Sequence, residues 1–339
     1  MQKNIILGIC FVVLGGLSFL YLKKGPAEAG TLIGADREFA VPPDQIYKIF
    51  LANRIDGSTT LLERNGDAWT YNQYYTARPN AVENLLDAIS RVEMMYKPPQ
   101  AAVPNMLQDL ATRGIKVELY DKSGKVLKVY YVGGGTADEN GTYLMLEGAE
   151  QPYVAHLPNW QGNLRFRYNL KGDNWRDRSI FNHQEKEIAS LQVEFPKQRE
   201  YSFQMEQKGN TNFAVSPFYD LQEKKETPPS RARIEAYLAG FESVGAEAFR
   251  NAHLGQDSIR QLVPFCSIEL KTKSDSTMKV RFFPIFPDNL VYDSKLNQYE
   301  VNNKPVERYF VDINGQDFMI AQHRVVKDLF WAYESFFLN

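Results

Sequence analysis

The chain has 339 residues, beyond the roughly 250–300 at which a single hydrophobic core stops growing, so more than one domain is expected. Hydrophobic residues at 44%, aromatics at 13% and charged residues at 24% fill substantial cores under an ordinary polar surface, which excludes disorder as the dominant state. A net charge of −2 gives no global attraction to nucleic acid, and two cysteines, Cys10 and Cys266, are too few for a disulfide framework or a Cys-based zinc site.

The first element is apolar. Ile5 to Leu22 is a run of 18 residues without a charge, set between Lys3 and the pair Lys23, Lys24. As a helix it spans about 27 Å at ~1.5 Å per residue, against a bilayer core of about 30 Å, and so reads as a membrane span over residues 5–22. Ala27-Glu28-Ala29 has the small-x-small form of a signal-peptidase site. The run nevertheless exceeds the roughly 7–15 residues of a signal core, and Lys23 and Lys24 lie where a neutral stretch precedes a cut. Residues 1–30 therefore read as an uncleaved anchor and short linker, with everything after them outside. The flanking lysines nearly balance, so this orientation rests on the export expected of a large domain behind a first short segment.

The remainder reads as one pattern written twice. Ile46, Ile49 and Leu51 form an apolar strand, Thr59 to Glu63 follow the Asp56-Gly57 turn, and Trp69 and Tyr71 continue the set. After Pro79 the period becomes helical, with Val82, Leu85, Leu86 and Ile89 at i, i+3, i+4 and i+7. Ile115 to Leu119 and Val126 to Val132 form a hairpin about the turn Asp121 to Gly124, and Tyr143–Met145 with Tyr153–Ala155 form another.

The order recurs downstream: Ile188 to Phe195, Tyr201 to Met205, then Phe213 in the place of Trp69. A helix opens at Pro228-Pro229 with Ile234, Tyr237, Leu238 and Phe241 at the same spacings. Cys266–Leu270 and Met278–Phe282 repeat the first hairpin, while Tyr309–Val311, the Asn314-Gly315 turn and Phe318–Ala321 repeat the second. Pro284 to Lys304 is an insertion, and Glu223 to Glu226 reads as a solvated loop ending at Pro228. The expected fold class is α+β: an N-terminal transmembrane helix, then tandem repeats at 31–182 and 183–339, each an antiparallel sheet with one long helix packed on it.

In this order the chain resembles a known family. The carriers are the flanked apolar anchor, Leu61 to Arg64, Asp67-Ala68-Trp69, Ala81 to Leu86, Gly114 to Val117, Tyr131-Val132-Gly133-Gly134, Tyr143 to Met145, Tyr153-Val154 and Trp175-Arg176-Asp177. The pattern, over roughly residues 1 to 215, resembles a bacterial membrane-anchored family of unknown function, domain-of-unknown-function family 4340. Its genes commonly lie beside those for ABC-transporter permeases of the gliding-motility type. The resemblance implies a single-pass protein of the bacterial inner membrane with periplasmic domains and an ABC transporter permease or other envelope protein as partner. Its motifs are structural, and no active-site residue is carried over.

Individual chemistries find little support. The histidines, His156, His183, His253 and His323, stand at least 27 positions apart, so no i, i+4 metal pair exists. No Gly-x-Ser-x-Gly elbow occurs. Gly133-Gly134-Gly135 follows a strand without a Gly-Lys-Ser/Thr, and reads as a bulge or turn leading to Asp138-Glu139-Asn140-Gly141 rather than a phosphate cradle or calcium loop. No cofactor and no metal are expected.

One segment stands out: Trp160, Arg165, Arg167, Trp175, Arg176 and Arg178 cluster within 19 positions. Indole and guanidinium faces stack on partners. The structural alternative is a seam packed between the repeats, with the arginines solvated or paired to Asp173 and Asp177. The expectation is a non-catalytic envelope protein, an accessory or scaffold subunit acting through partner-binding surfaces with these six residues as candidates. A glycan- or ligand-binding module is the alternative, and an undetected hydrolase a weaker one.

Overall fold

The structure is a computed structural model that describes residues 38–209, 212–220, 223–286, 290–293, 298–301 and 305–337. The apolar run Ile5 to Leu22 lies outside the described residues. The chain divides into two compact units, Met1–Arg176 and Asp177–Asn339.

The first unit is organised on nine strands: β1 (Lys48–Asn53), β2 (Thr59–Asn65), β3 (Ala68–Tyr71), β4 (Tyr75–Thr76), β5 (Glu93–Tyr96), β6 (Ile115–Tyr120), β7 (Val126–Gly135), β8 (Thr142–Leu146) and β9 (Tyr153–His156). They form one sheet in the order β4-β3-β2-β1-β6-β7-β8-β9-β5, antiparallel throughout. Alternation decides the face each side chain takes. Ile49 stands opposite Leu119, and Leu51 opposite Val117, and all four are buried. Helix α1 (Pro79–Arg91) starts with proline in its first turn, where a missing N–H costs nothing. It contributes Ala81, Val82, Leu85, Ala88 and Ile89 to the same core. Helix α2 (Val103–Arg113) buries Val103, Met106 and Leu110.

The second unit holds β10 (Ser179–Phe181), β11 (Ile188–Glu194), β12 (Phe203–Lys208), β13 (Asn212–Pro217), β14 (Val244–Gly245), β15 (Ala248–Phe249), β16 (Cys266–Thr272), β17 (Thr277–Ile285), β18 (Leu290–Asp293), β19 (Gln298–Val301), β20 (Arg308–Ile313) and β21 (Asp317–Gln322). Its main sheet runs β13-β12-β11-β16-β17-β20-β21-β15, while β10 pairs with β14 and β18 with β19. In each large sheet a meander runs outward from one central strand, β1 or β11. A second meander continues from the other side of that strand, and a short strand lying between the two in sequence closes the far edge. Asn314 and Gly315 at φ 54° and 71° make the tight β20–β21 turn, a left-handed conformation that suits this pair.

The expected α+β class with one long helix packed on each sheet is corrected by this arrangement, which is dominated by antiparallel sheet; the expected transmembrane helix falls on residues that are not described. Among the described residues no helix is long and apolar enough to cross a membrane. Helix α1 has 13 residues and stops where Val92 turns extended and feeds edge strand β5. In the second unit, after the short α3 (Arg165–Tyr168) of the first, α4 (Arg231–Ala239) has nine residues; Pro228-Pro229 precede its cap Ser230, and Phe241 lies past Gly240. The four periodic positions of the first helix, Val82 to Ile89, all lie within α1, whereas Phe241 reaches the core from turn backbone beyond the end of α4. In the second unit the periodicity therefore ran past the end of the helix.

Leu85 is fully buried whereas Leu86 is only half-buried at the edge of the cluster. Leu85→Ala is expected to destabilise the first unit by about 2–5 kcal/mol and Leu86→Ala by less, read as shifted urea midpoints. Equal midpoints for both variants would contradict this placement of α1.

Candidate functional site

Five of the six candidate residues, Trp160 to Arg176, lie on a strap that follows β9 and returns across the first unit. Trp160 packs over Gly162, which has φ 127°, and a Cβ there would stand 2.6 Å from the indole, so only glycine fits. Helix α3 follows and inserts Tyr168 into the core. The buried Tyr168 hydroxyl lies 3.1 Å from that of Tyr130, and burial pushes Tyr168 up to about 12.

The structure distributes the six candidates among different tasks. Arg165 donates to the carbonyls of Val132 and Gly133 at 3.0 and 3.1 Å and to that of Arg113, clamping the end of α2 to β7. On that strand Asp109 accepts the Gly134 N–H at 2.6 Å, and a Cβ at Gly133 would meet the same carboxylate at 2.9 Å. The glycine run thus lets a helix side chain approach an irregular strand, with a register shift between Val132 and Gly135. Arg167 is held by Asp87 at 2.6 Å and the Asn84 carbonyl at 3.1 Å. Its guanidinium lies 5.1 Å from the Trp160 ring and 5.8 Å from that of Phe166, which is 57% exposed.

Trp175 is completely buried, with its indole N–H donated to the Leu170 carbonyl at 2.8 Å, so it acts from inside the core. Trp175 belongs to the core of the first unit and Phe181 to that of the second. Arg178 is in the second unit and donates to the Glu247 carbonyl at 2.7 Å.

Arg176 makes the most distinctive contact. Its guanidinium lies 3.9 Å from the ring centroid of Tyr75 and 3.1 Å from Asp173, and its backbone bridges to Ala77 beside β4. Tyr75 stacks on Tyr71 at 6.3 Å, and its neighbour Tyr74 is 86% exposed. The tip carrying Tyr74 is held by a hydrogen-bonded turn. Asn72 and Gln73 take left-handed φ of 48° and 68°, and Asn72 exchanges hydrogen bonds with the Leu61 backbone at 2.8 and 2.9 Å. Tyr74, Tyr75 and Phe166 escaped the sequence reading. The pair Tyr74-Tyr75 directly after Asn72-Gln73 was the available signal, since two aromatics at a polar turn leave at least one ring in solvent.

The other chemical candidates are engaged elsewhere. Asp138 accepts from the Asn140 N–H and the Thr136 hydroxyl, and Glu139 from Asn163. Among the described residues no group of three His, Cys, Asp or Glu side chains could hold a metal ion. Cys266 is buried, and burial pushes its thiol well above the usual range.

A family model described as Domain of unknown function (DUF4340) matches residues 39–259, which covers the described part of the first unit and reaches into the second. No curated protein and no solved structure matches.

Burial alone pushes the Asp87 carboxyl up, but hydrogen bonds from Arg167 and Arg91 outweigh it and hold the group below the ordinary carboxylate range. A carboxylate so depressed stabilises the fold above its unfolded pKa of about 4, and the contribution disappears as pH falls through the folded value. Asp87→Asn is expected to lower the melting temperature at pH 7 and to flatten its decline below about pH 4. Melts at stepped pH that fall in parallel for both proteins would remove Asp87 from this role.

Proposed function

The chain belongs to the DUF4340 family, and from that premise we propose a non-catalytic partner-binding role in the bacterial envelope, as an accessory or scaffold subunit beside a transporter permease or similar membrane protein. The apolar run Ile5 to Leu22 would hold the units at the inner membrane on its periplasmic side, raising their effective concentration near such a partner. The contact carrying the reading is the Arg176 guanidinium over Tyr75, beside the exposed Tyr74. Arg176 is itself buried and supports the Tyr75 ring from beneath, leaving the exposed rings of Tyr74 and Tyr75 for a partner, and tyrosine is among the side chains that most often anchor interfaces. Holding them in place before binding reduces the conformational entropy lost on association. Asp173 fixes the guanidinium and the Asn72 turn fixes the tyrosines, so the surface is organised in the free protein.

A second reading, extracytoplasmic glycan binding, is favoured by the Asp173 carboxylate next to tyrosine rings able to stack on sugars. Trp175 cannot report on it, because its ring is enclosed.

Tyr74→p-benzoylphenylalanine, irradiated in intact cells, is expected to give one dominant adduct with a membrane protein of the envelope. Adding Tyr75→Ala should reduce its yield about tenfold, the loss of one interface anchor. No adduct above that of a buried control position would overturn the protein-partner reading. Glycan-array signal abolished by Tyr75→Ala, with no protein adduct, would establish the second.

A further inference from the structure

A groove of about 960 Å³ opens on the second unit, lined by Tyr201, Tyr219 and Tyr333 from three separate parts of the chain. Their positions are tied to neighbouring structure. The Tyr219 hydroxyl donates to Glu194 at 2.6 Å, and the Lys225 N–H donates to the Tyr333 hydroxyl at 3.3 Å. The loop read from sequence as merely solvated thus forms a wall, anchored at Lys225 to the turn Tyr333–Phe336.

Two independent features specify what such a groove accepts. The Arg199 guanidinium already lies 5.1 Å from the Tyr219 ring centroid, so the chain itself places a planar cation on one of these tyrosines. The charged lining consists of Glu200, Asp220, Glu223 and Glu334 against Arg199 and Lys225, four carboxylates to two cations. A recess lined by excess negative charge concentrates its field on an entering cation.

The adjacent backbone distinguishes between cationic ligands. Strand β13 is the outermost strand of the eight-stranded sheet and runs within three residues into Tyr219 and Asp220. An edge strand presents hydrogen-bonding groups that a peptide backbone can match and a simple polyamine cannot. We infer that this groove binds a basic peptide segment of a protein partner, seating an Arg or Lys side chain among the tyrosines and carboxylates while its backbone runs beside β13. The site is on a different unit from the Tyr75–Arg176 surface and is tested separately from it.

The test uses the full chain and a fluorescein-labelled peptide of alternating Arg and Gly, followed by fluorescence anisotropy. Saturable binding is expected, with none for the matching Glu-Gly peptide. Glu223→Gln combined with Glu334→Gln, both at exposed positions, should weaken it about tenfold with an unchanged circular dichroism spectrum. Tyr219→Leu should also weaken it, and Tyr219→Phe, which keeps the ring, should not. Absence of saturable binding, equal affinity for the double Gln variant, or displacement by spermine at matched charge would overturn the inference; the last outcome would assign the groove to small amines.

Discussion

A wide antiparallel sheet buries one row of side chains on every strand, and that row has to be covered. In the first unit nine strands present such a face while the helices available are short, so the cover is assembled from pieces: α1, the segment Phe39 to Ile46, and the strap that inserts Leu164, Tyr168 and Trp175. Each piece buries apolar area that the others leave wet, at roughly 25 cal/mol per Å². The position of the strap follows from this requirement, and so do the positions of Arg165, Arg167 and Arg176.

That dependence explains why neighbouring arginines differ in role. Trp175 and Tyr168 face the core, so residues next to them in sequence must emerge at its margin, where a guanidinium can lay its stem on apolar groups and turn its head to a carboxylate or carbonyl. Arg167 does so at Asp87, Arg165 at the end of β7, and Arg176 at Asp173 and Tyr75. Packing of the strap and presentation of the aromatic surface are therefore one structural arrangement.

The second unit uses charge in its interior differently. Asp312 is 1% exposed and held by Arg260 at 2.7 Å and Arg281 at 2.8 Å, joining the short helix α5 (Gln256–Arg260) to strands β17 and β20. Removing either arginine would leave the Asp312 charge buried with reduced solvation, which is strongly destabilising. Asp109 has a related position in the first unit, between Arg113 and the Gly134 N–H.

The sequence by itself determined most strands, their turns and the inward side of each, because alternation and turn chemistry are local: Ile49 and Leu51, Val117 and Leu119, and the Asn314-Gly315 bend are legible without a partner strand. It also singled out the strap, through its density of Trp and Arg. Only tertiary structure decided where the second helix ends, since Phe241 keeps the helical period while lying on turn backbone past Gly240. Strand β5, with the sequence Glu93-Met94-Met95-Tyr96, has no alternation of its own and is a strand because β9 supplies its hydrogen bonds. The surface at Tyr75 was illegible for the same reason: Arg176 lies 101 positions away in sequence, and their contact exists only because the strap returns to the edge of the sheet.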